Sequence, residues 1–155
     1  MREATPEYEL LVDSVSSPMK IGIYRDGSLL DTVERDGYVS DILPGLLYDL
    51  VRRYSPSRIV YVNGPGSQMA IKLTYIALMS VEATEGIEIG ACSAFSLNGG
   101  APLKAMGSLY FIKEKETIIT RKLESPVSVP LEMPETLDKI STDGEVEPLY
   151  ILPAV

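Results

Sequence analysis

No histidine occurs among the 155 residues. That absence removes the Ser-His-Asp triad, the Cys-His pair and imidazole-ligated zinc from the chemistries open to the chain. A single cysteine, Cys92, excludes an intrachain disulfide and fits a reducing compartment. Basic residues are outnumbered, with 14 Lys and Arg against 22 Asp and Glu, for a formal net charge of −8. The acidity is spread along the chain, and no basic patch stands out. This argues against a protein that grips a phosphate backbone by itself. No apolar run approaches the ~18–20 residues that cross a bilayer. The opening MREATPEYELLVD also lacks the basic flank and apolar stretch of a signal peptide. The expected location is cytoplasmic, without membrane contact.

What is present is an ordinary globular composition, 45% apolar and 23% charged. A chain of this length buries roughly 68–70% of its unfolded surface, enough for one domain with a real core. No internal repeat or long linker divides it.

The first half is well punctuated. Glu9 to Val15 is a short apolar run closed by Ser16, Ser17 and Pro18, which predicts a buried strand and a turn. Met19 to Arg25 alternates, Asp26-Gly27 suits a tight hairpin, and Ser28 to Glu34 returns as a third strand. Ser40 is the expected N-cap of a helix from Asp41 to Tyr54, with Pro44 in its first turn. Leu43, Leu46, Leu47, Leu50, Val51 and Tyr54 form its apolar stripe. Arg58 to Val62 predicts another buried strand. Asn63-Gly64-Pro65-Gly66-Ser67 then delivers the chain into a helix from Gln68 to about Ala83.

That second helix is apolar on two sides. Met69, Leu73, Ile76 and Ala77 make one face, and Ile71, Tyr75 and Leu78 make nearly the opposite one. Such a helix needs cover on both sides, one from the core and one from a partner. Further on, Ile87 to Cys92 predicts a strand and Leu103 to Lys122 a hairpin turning at Lys113 to Glu116. Residues 124–135 are Pro-rich and irregular, Pro134 to Ile140 a short helix, and Val146 to Leu152 a last extended segment.

Candidate chemistry is sparse. The Gly64-Pro65-Gly66-Ser67 turn could offer helix N-terminal amides to an anion, yet it lacks a Walker lysine and a dinucleotide spacing. The competing reading is a turn that packs the helix tightly onto the sheet. Asp13, followed by Ser14, Ser16 and Ser17, could contact a magnesium nucleotide, or could simply cap its own turn. Cys92 has no histidine to activate it and reads as a small buried hydrophobe.

Taken in order, these elements resemble the TsaB (YeaZ) family, the non-catalytic subunit in bacterial synthesis of N6-threonylcarbamoyladenosine at tRNA adenosine 37. Val12-Asp13-Ser14-Val15 resembles the family's opening Ile-Asp-Thr-Ser, and Ile42-Leu43-Pro44 its Leu-Leu-Pro. Gly64-Pro65-Gly66-Ser67 matches the start of its Gly-Pro-Gly-Ser-Phe-Thr-Gly-Leu-Arg signature, and Gln68-Met69-Ala70-Ile71-Lys72 follows in place of the remainder. Glu147-Pro148-Leu149-Tyr150-Ile151, then Pro153 and Ala154, is similar to the family's ending.

The resemblance implies an α/β fold, an RNase H-like, actin/Hsp70-type (ASKHA) lobe with a mixed five-stranded sheet over about residues 8–95. Residues 96–155 would form a reduced second lobe and tail. It also implies a scaffold that binds and activates a TsaD-type transferase, with possible homodimers, no cofactor, no metal and no catalysis of its own. Leu47, Tyr48, Ile71, Tyr75, Leu78 and Met79 are the expected partner surface. Asp13 and Ser14 are the expected vestigial nucleotide contact. The alternative function is a small ASKHA-type nucleotide-binding protein or ATPase using Asp13 and the GPGS turn. A peptidase reading finds no nucleophile, base or metal ligands.

Overall fold

Alternating side chains through residues 8–35 lay down three antiparallel strands, as the sequence pattern requires. The computed structural model, which describes residues 5–149, places them as β1 (Tyr8–Asp13), β2 (Met19–Arg25) and β3 (Ser28–Arg35). β1 stops at Asp13, two residues before the expected end. Asp26 and Gly27 both take positive φ, 50° and 83°, the pairing that matches a two-residue hairpin to the strand twist.

The chain then crosses over twice. α1 (Val39–Tyr54) leads to β4 (Arg58–Val62), which runs parallel to β1 with Leu10 opposite Ile59. α2 (Gln68–Glu85) leads to β5 (Glu88–Cys92), parallel to β4. The sheet order is β3-β2-β1-β4-β5. Both crossovers step in the same direction, so right-handed connections put both helices on one face. There Leu10, Val12, Ile21, Ile59 and Tyr61 meet Leu43, Leu47, Leu50, Ile71 and Leu78. Successive strand residues point to opposite faces, so Leu11, Tyr24, Val60 and Val62 build a second core with Ala94, Leu97, Leu131 and Leu137.

Residues 124–135 are irregular, as expected, and they cover that second face. Lys20 Nζ donates to the Leu131 carbonyl at 2.8 Å and Tyr24 Oη to the Pro134 carbonyl at 2.7 Å. Gly22 makes room for this crossing, since a Cβ there would lie 2.9 Å from Met133 Sδ.

Several local expectations are corrected. α1 begins at Val39 with Tyr38 as its N-cap and no side-chain cap bond, so Ser40 lies inside the helix. The Tyr38 carbonyl accepts from Asp41 N at 3.0 Å, and packing of Val39 into the core sets the start in place of a hydroxyl cap. Pro44 consequently falls in the second turn, where it has no N–H for the Ser40 carbonyl. α2 extends to Glu85 because Gly86 (φ 68°) supplies the left-handed cap. The expected hairpin at 103–122 is a three-stranded sheet, β6 (Leu103–Met106), β7 (Leu109–Glu114) and β8 (Thr117–Lys122), because Gly107 adds a first turn. The helix expected at 134–140 is one 3-10 turn, Leu137–Lys139. Residues 146–149 form no strand, and the rest of that expected segment, with Tyr150, Ile151, Pro153 and Ala154, lies outside the described residues.

Candidate functional site

Two hollows on the helix side of the sheet bring the candidate residues together. The first sits beyond the end of β1, where the N-termini of α1 and α2 converge. It measures about 300 Å³ and is lined by Ser14, Ser16, Ser17, Ser40, Ser67 and Met69 among others. None of its lining residues is charged. Asp13 does not reach into it as a free ligand. Its Oδ1 accepts from the backbone N–H of Val15 and of Ser16, each at 3.1 Å, and its Oδ2 accepts from Ser16 Oγ at 2.5 Å. The carboxylate thus closes its own turn. Burial pushes its pKa upward, opposed by the Ser16 and Val15 hydrogen bonds and the Lys20 charge. Ser14 is buried as well, its hydroxyl bonded at 2.7 Å to Thr74 Oγ1 of α2.

The GPGS turn is packed tightly. Gly64 takes φ 135° and its carbonyl accepts from Ala94 N at 2.8 Å. A Cβ on Gly66 would lie 2.8 Å from Val15 Cγ1, so only glycine lets the turn approach the β1 loop this closely. Ser67 caps α2, its Oγ accepting from Ala70 N at 3.4 Å. Of the two readings of this turn, the packing role is the one its contacts fill. Cys92 is buried at the end of β5. Burial, with the nearby Asp13 charge adding to it and a Ser96 hydrogen bond opposing it, pushes its thiol up to about 12, which disfavours the thiolate. Among the described residues no cluster of three or more His, Cys, Asp or Glu could hold a metal ion.

The second hollow is a groove of about 470 Å³ between α1 and α2. Leu43, Leu47 and Val51 line it from α1, and Leu73, Ile76, Ala77 and Val81 from α2. The groove is open, with Tyr48 61% and Ile76 52% exposed on it and Met69 beyond it 69% exposed, and Arg52, Ser80, Thr84 and Glu85 give it a polar border. Arg52 lies over the Tyr48 ring at 5.2 Å and donates to its hydroxyl at 3.0 Å.

This arrangement reverses the expected partner face of α2. Ile71 and Leu78 are almost fully buried against the sheet, and Tyr75 and Met79 pack half-buried on the same core. Leu47 is buried as well and forms groove floor, so of the six expected residues only Tyr48 stands exposed. The physical reason is the fit of α2 above β4 and β5. Thr74 turns inward to reach Ser14, carrying Ile71 and Leu78 with it on one stripe. The sequence held a signal for the true outer face. Lys72 and Ser80 sit four residues either side of Ile76, marking its stripe as the wet one.

An antiparallel β1–β3 unit, two parallel strands joined through helices and a helix pair on one face define an RNase H-like, ASKHA-type lobe. Solved YeaZ structures share this architecture. A Pseudomonas aeruginosa protein described as similar to peptidase YeaZ superposes with a TM-score of 0.62 at 12% identity, over 81% of this chain and 71% of that one. YeaZ from Pseudomonas aeruginosa superposes with a TM-score of 0.57 at 12% identity, over 82% of this chain and 72% of the other. The chain therefore has the YeaZ fold, at a sequence distance where likeness speaks for fold alone. No family profile matches the sequence, and no curated protein matches it. No helix among the described residues is long and apolar enough to cross a membrane.

Proposed function

We propose that the chain is a cytoplasmic scaffold subunit that binds and activates a TsaD-type transferase in threonylcarbamoylation of tRNA, with no catalysis of its own. The observation that carries this reading is the open apolar groove between α1 and α2 on a YeaZ-type lobe. Stable interfaces bury about 1,200–2,000 Å² around an apolar centre, and Tyr48, Ile76 and Met69 supply such a centre. Uncharged residues line the hollow beside Asp13, which gives a phosphate no cation, so the nucleotide-binding alternative has less support.

The test is co-purification with a TsaD-type transferase. Tyr48→Glu with Ile76→Glu is expected to abolish the complex while leaving the thermal midpoint within a few degrees of the parent. An intact complex would overturn this docking face. Calorimetry with Mg-ATP separates the alternative: binding that disappears in Asp13→Ala would favour the nucleotide reading.

A further inference from the structure

Residues 142–149 have neither helix nor strand of their own, yet β4 and its following turn hold them throughout. Arg58 Nη1 and Nη2 donate to Thr142 Oγ1 and to the Thr142 carbonyl, each at 2.8 Å. Tyr61 Oη donates to the Val146 carbonyl. Asn63 Nδ2 donates to the carbonyls of Glu145 and Glu147 at 2.9 and 3.1 Å, and the Asn63 carbonyl accepts from Leu149 N at 2.8 Å. Asp143 bridges in parallel to Ala91 on the edge strand β5. Gly90 leaves room for the Arg58 guanidinium, since a Cβ there would lie 2.5 Å from Nη2 and push the side chain aside. Nearly every acceptor on the segment is a main-chain carbonyl. Pro148 is buried, Val146 packs on the helix-side core and Leu149 sits over Gly64, whereas Asp143, Glu145 and Glu147 remain exposed.

The donors are chiefly side chains of β4 and its following turn, and the segment is held through its backbone with Val146, Pro148 and Leu149 as anchors. Backbone hydrogen bonds for affinity and a few side-chain anchors for specificity are how extended peptides are recognised. We propose that β4, the rim of β5 and the Gly64 turn form a peptide-docking groove for an acidic Val-x-Pro-Leu segment. It is filled here in cis by residues 142–149 and is able to take the same segment in trans. The groove is separate from the one between α1 and α2, and the proposal does not depend on the scaffold reading. Release of the segment would uncover the Gly64 turn.

The test uses the full-length chain carrying Val146→Asp and Leu149→Asp, which undocks the segment, titrated with the peptide STDGEVEPL. Saturable binding is expected, weakened about tenfold or more when Asn63→Ala is added. Absence of binding to the folded variant would overturn the proposal. Hydrogen exchange on the unaltered chain decides the matter if that variant does not fold. The Leu149 amide is expected to exchange well before those of Leu11 and Val60. Equal protection would mean that the segment leaves only on global unfolding, and would refute a detachable ligand.

Discussion

Ile71→Ala and Ile76→Glu probe opposite sides of α2, and their comparison tests its rotation directly. The two positions lie about 140° apart at 100° per residue. Ile71 is 1% exposed and packed among Leu10, Val12 and Leu43, whereas Ile76 is 52% exposed at the groove rim. Truncating a buried isoleucine to alanine removes its transfer free energy and leaves a cavity, about 2–5 kcal/mol together. For a chain of this size that lowers the thermal midpoint by roughly 4–20 °C. Ile76→Glu strands no buried charge and places a good helix former at an exposed site, so its effect should stay within about 0.5 kcal/mol. Ile71→Glu adds the burial of an unpaired carboxylate, several kcal/mol more, and approaches the ~5–15 kcal/mol total stability of a typical domain. Urea melts with matched slopes measure all three. Comparable destabilisation by Ile71→Ala and Ile76→Glu, or a stable Ile71→Glu, would refute the orientation of α2 and the groove built on it.

Two further outcomes follow from Asp13 and Cys92. Burial raises the Asp13 pKa above its ordinary 3.8, so between 3.8 and the raised value the folded chain holds a proton that the unfolded chain has released. Its contribution to stability therefore falls as pH rises through that window and levels off above it. Asp13→Asn keeps an acceptor for the Val15 and Ser16 amides without the charge. Its urea midpoint relative to the parent should rise across that window, and a pH-independent difference would contradict the assignment. Cys92, with its thiol pushed up to about 12, should resist alkylation in the native chain and react fully once unfolded. Rapid native labelling would show that β5 opens at its C-terminal end.

Much of the fold is legible in the sequence because local periodicity and turn chemistry agree. The alternation of Met19 to Arg25, the Asp26-Gly27 pair and the apolar stripe from Leu43 to Tyr54 each specify one element, and each forms as expected. Tertiary packing overrode weaker local signals. Ser40 offers a good cap, yet α1 starts earlier because Val39 is drawn onto the core. Gly107 carries only a local turn preference, which becomes a strand boundary once β6 pairs with β7.

The order of the elements as far as β5, the absence of histidine chemistry and the two apolar sides of the second helix are all legible in the sequence. Lys72 and Ser80 lean the Ile76 side toward water, and the packed structure settles the matter by burying Ile71 and Leu78. Hydrophobicity alone makes Ile71 and Ile76 equivalent, and the packing of Ile71, Thr74 and Leu78 onto the sheet, with Thr74 hydrogen-bonded to Ser14, distinguishes the two sides. The same holds for Asp13. A carboxylate before a run of serines is open to a ligand or to its own turn, and the backbone path after β1 brings the Val15 and Ser16 amides to it first. Residues 142–149 offer the sequence no more than the start of an extended segment at Val146, so their docking against Arg58, Tyr61 and Asn63, some eighty residues away in sequence, is visible only in three dimensions.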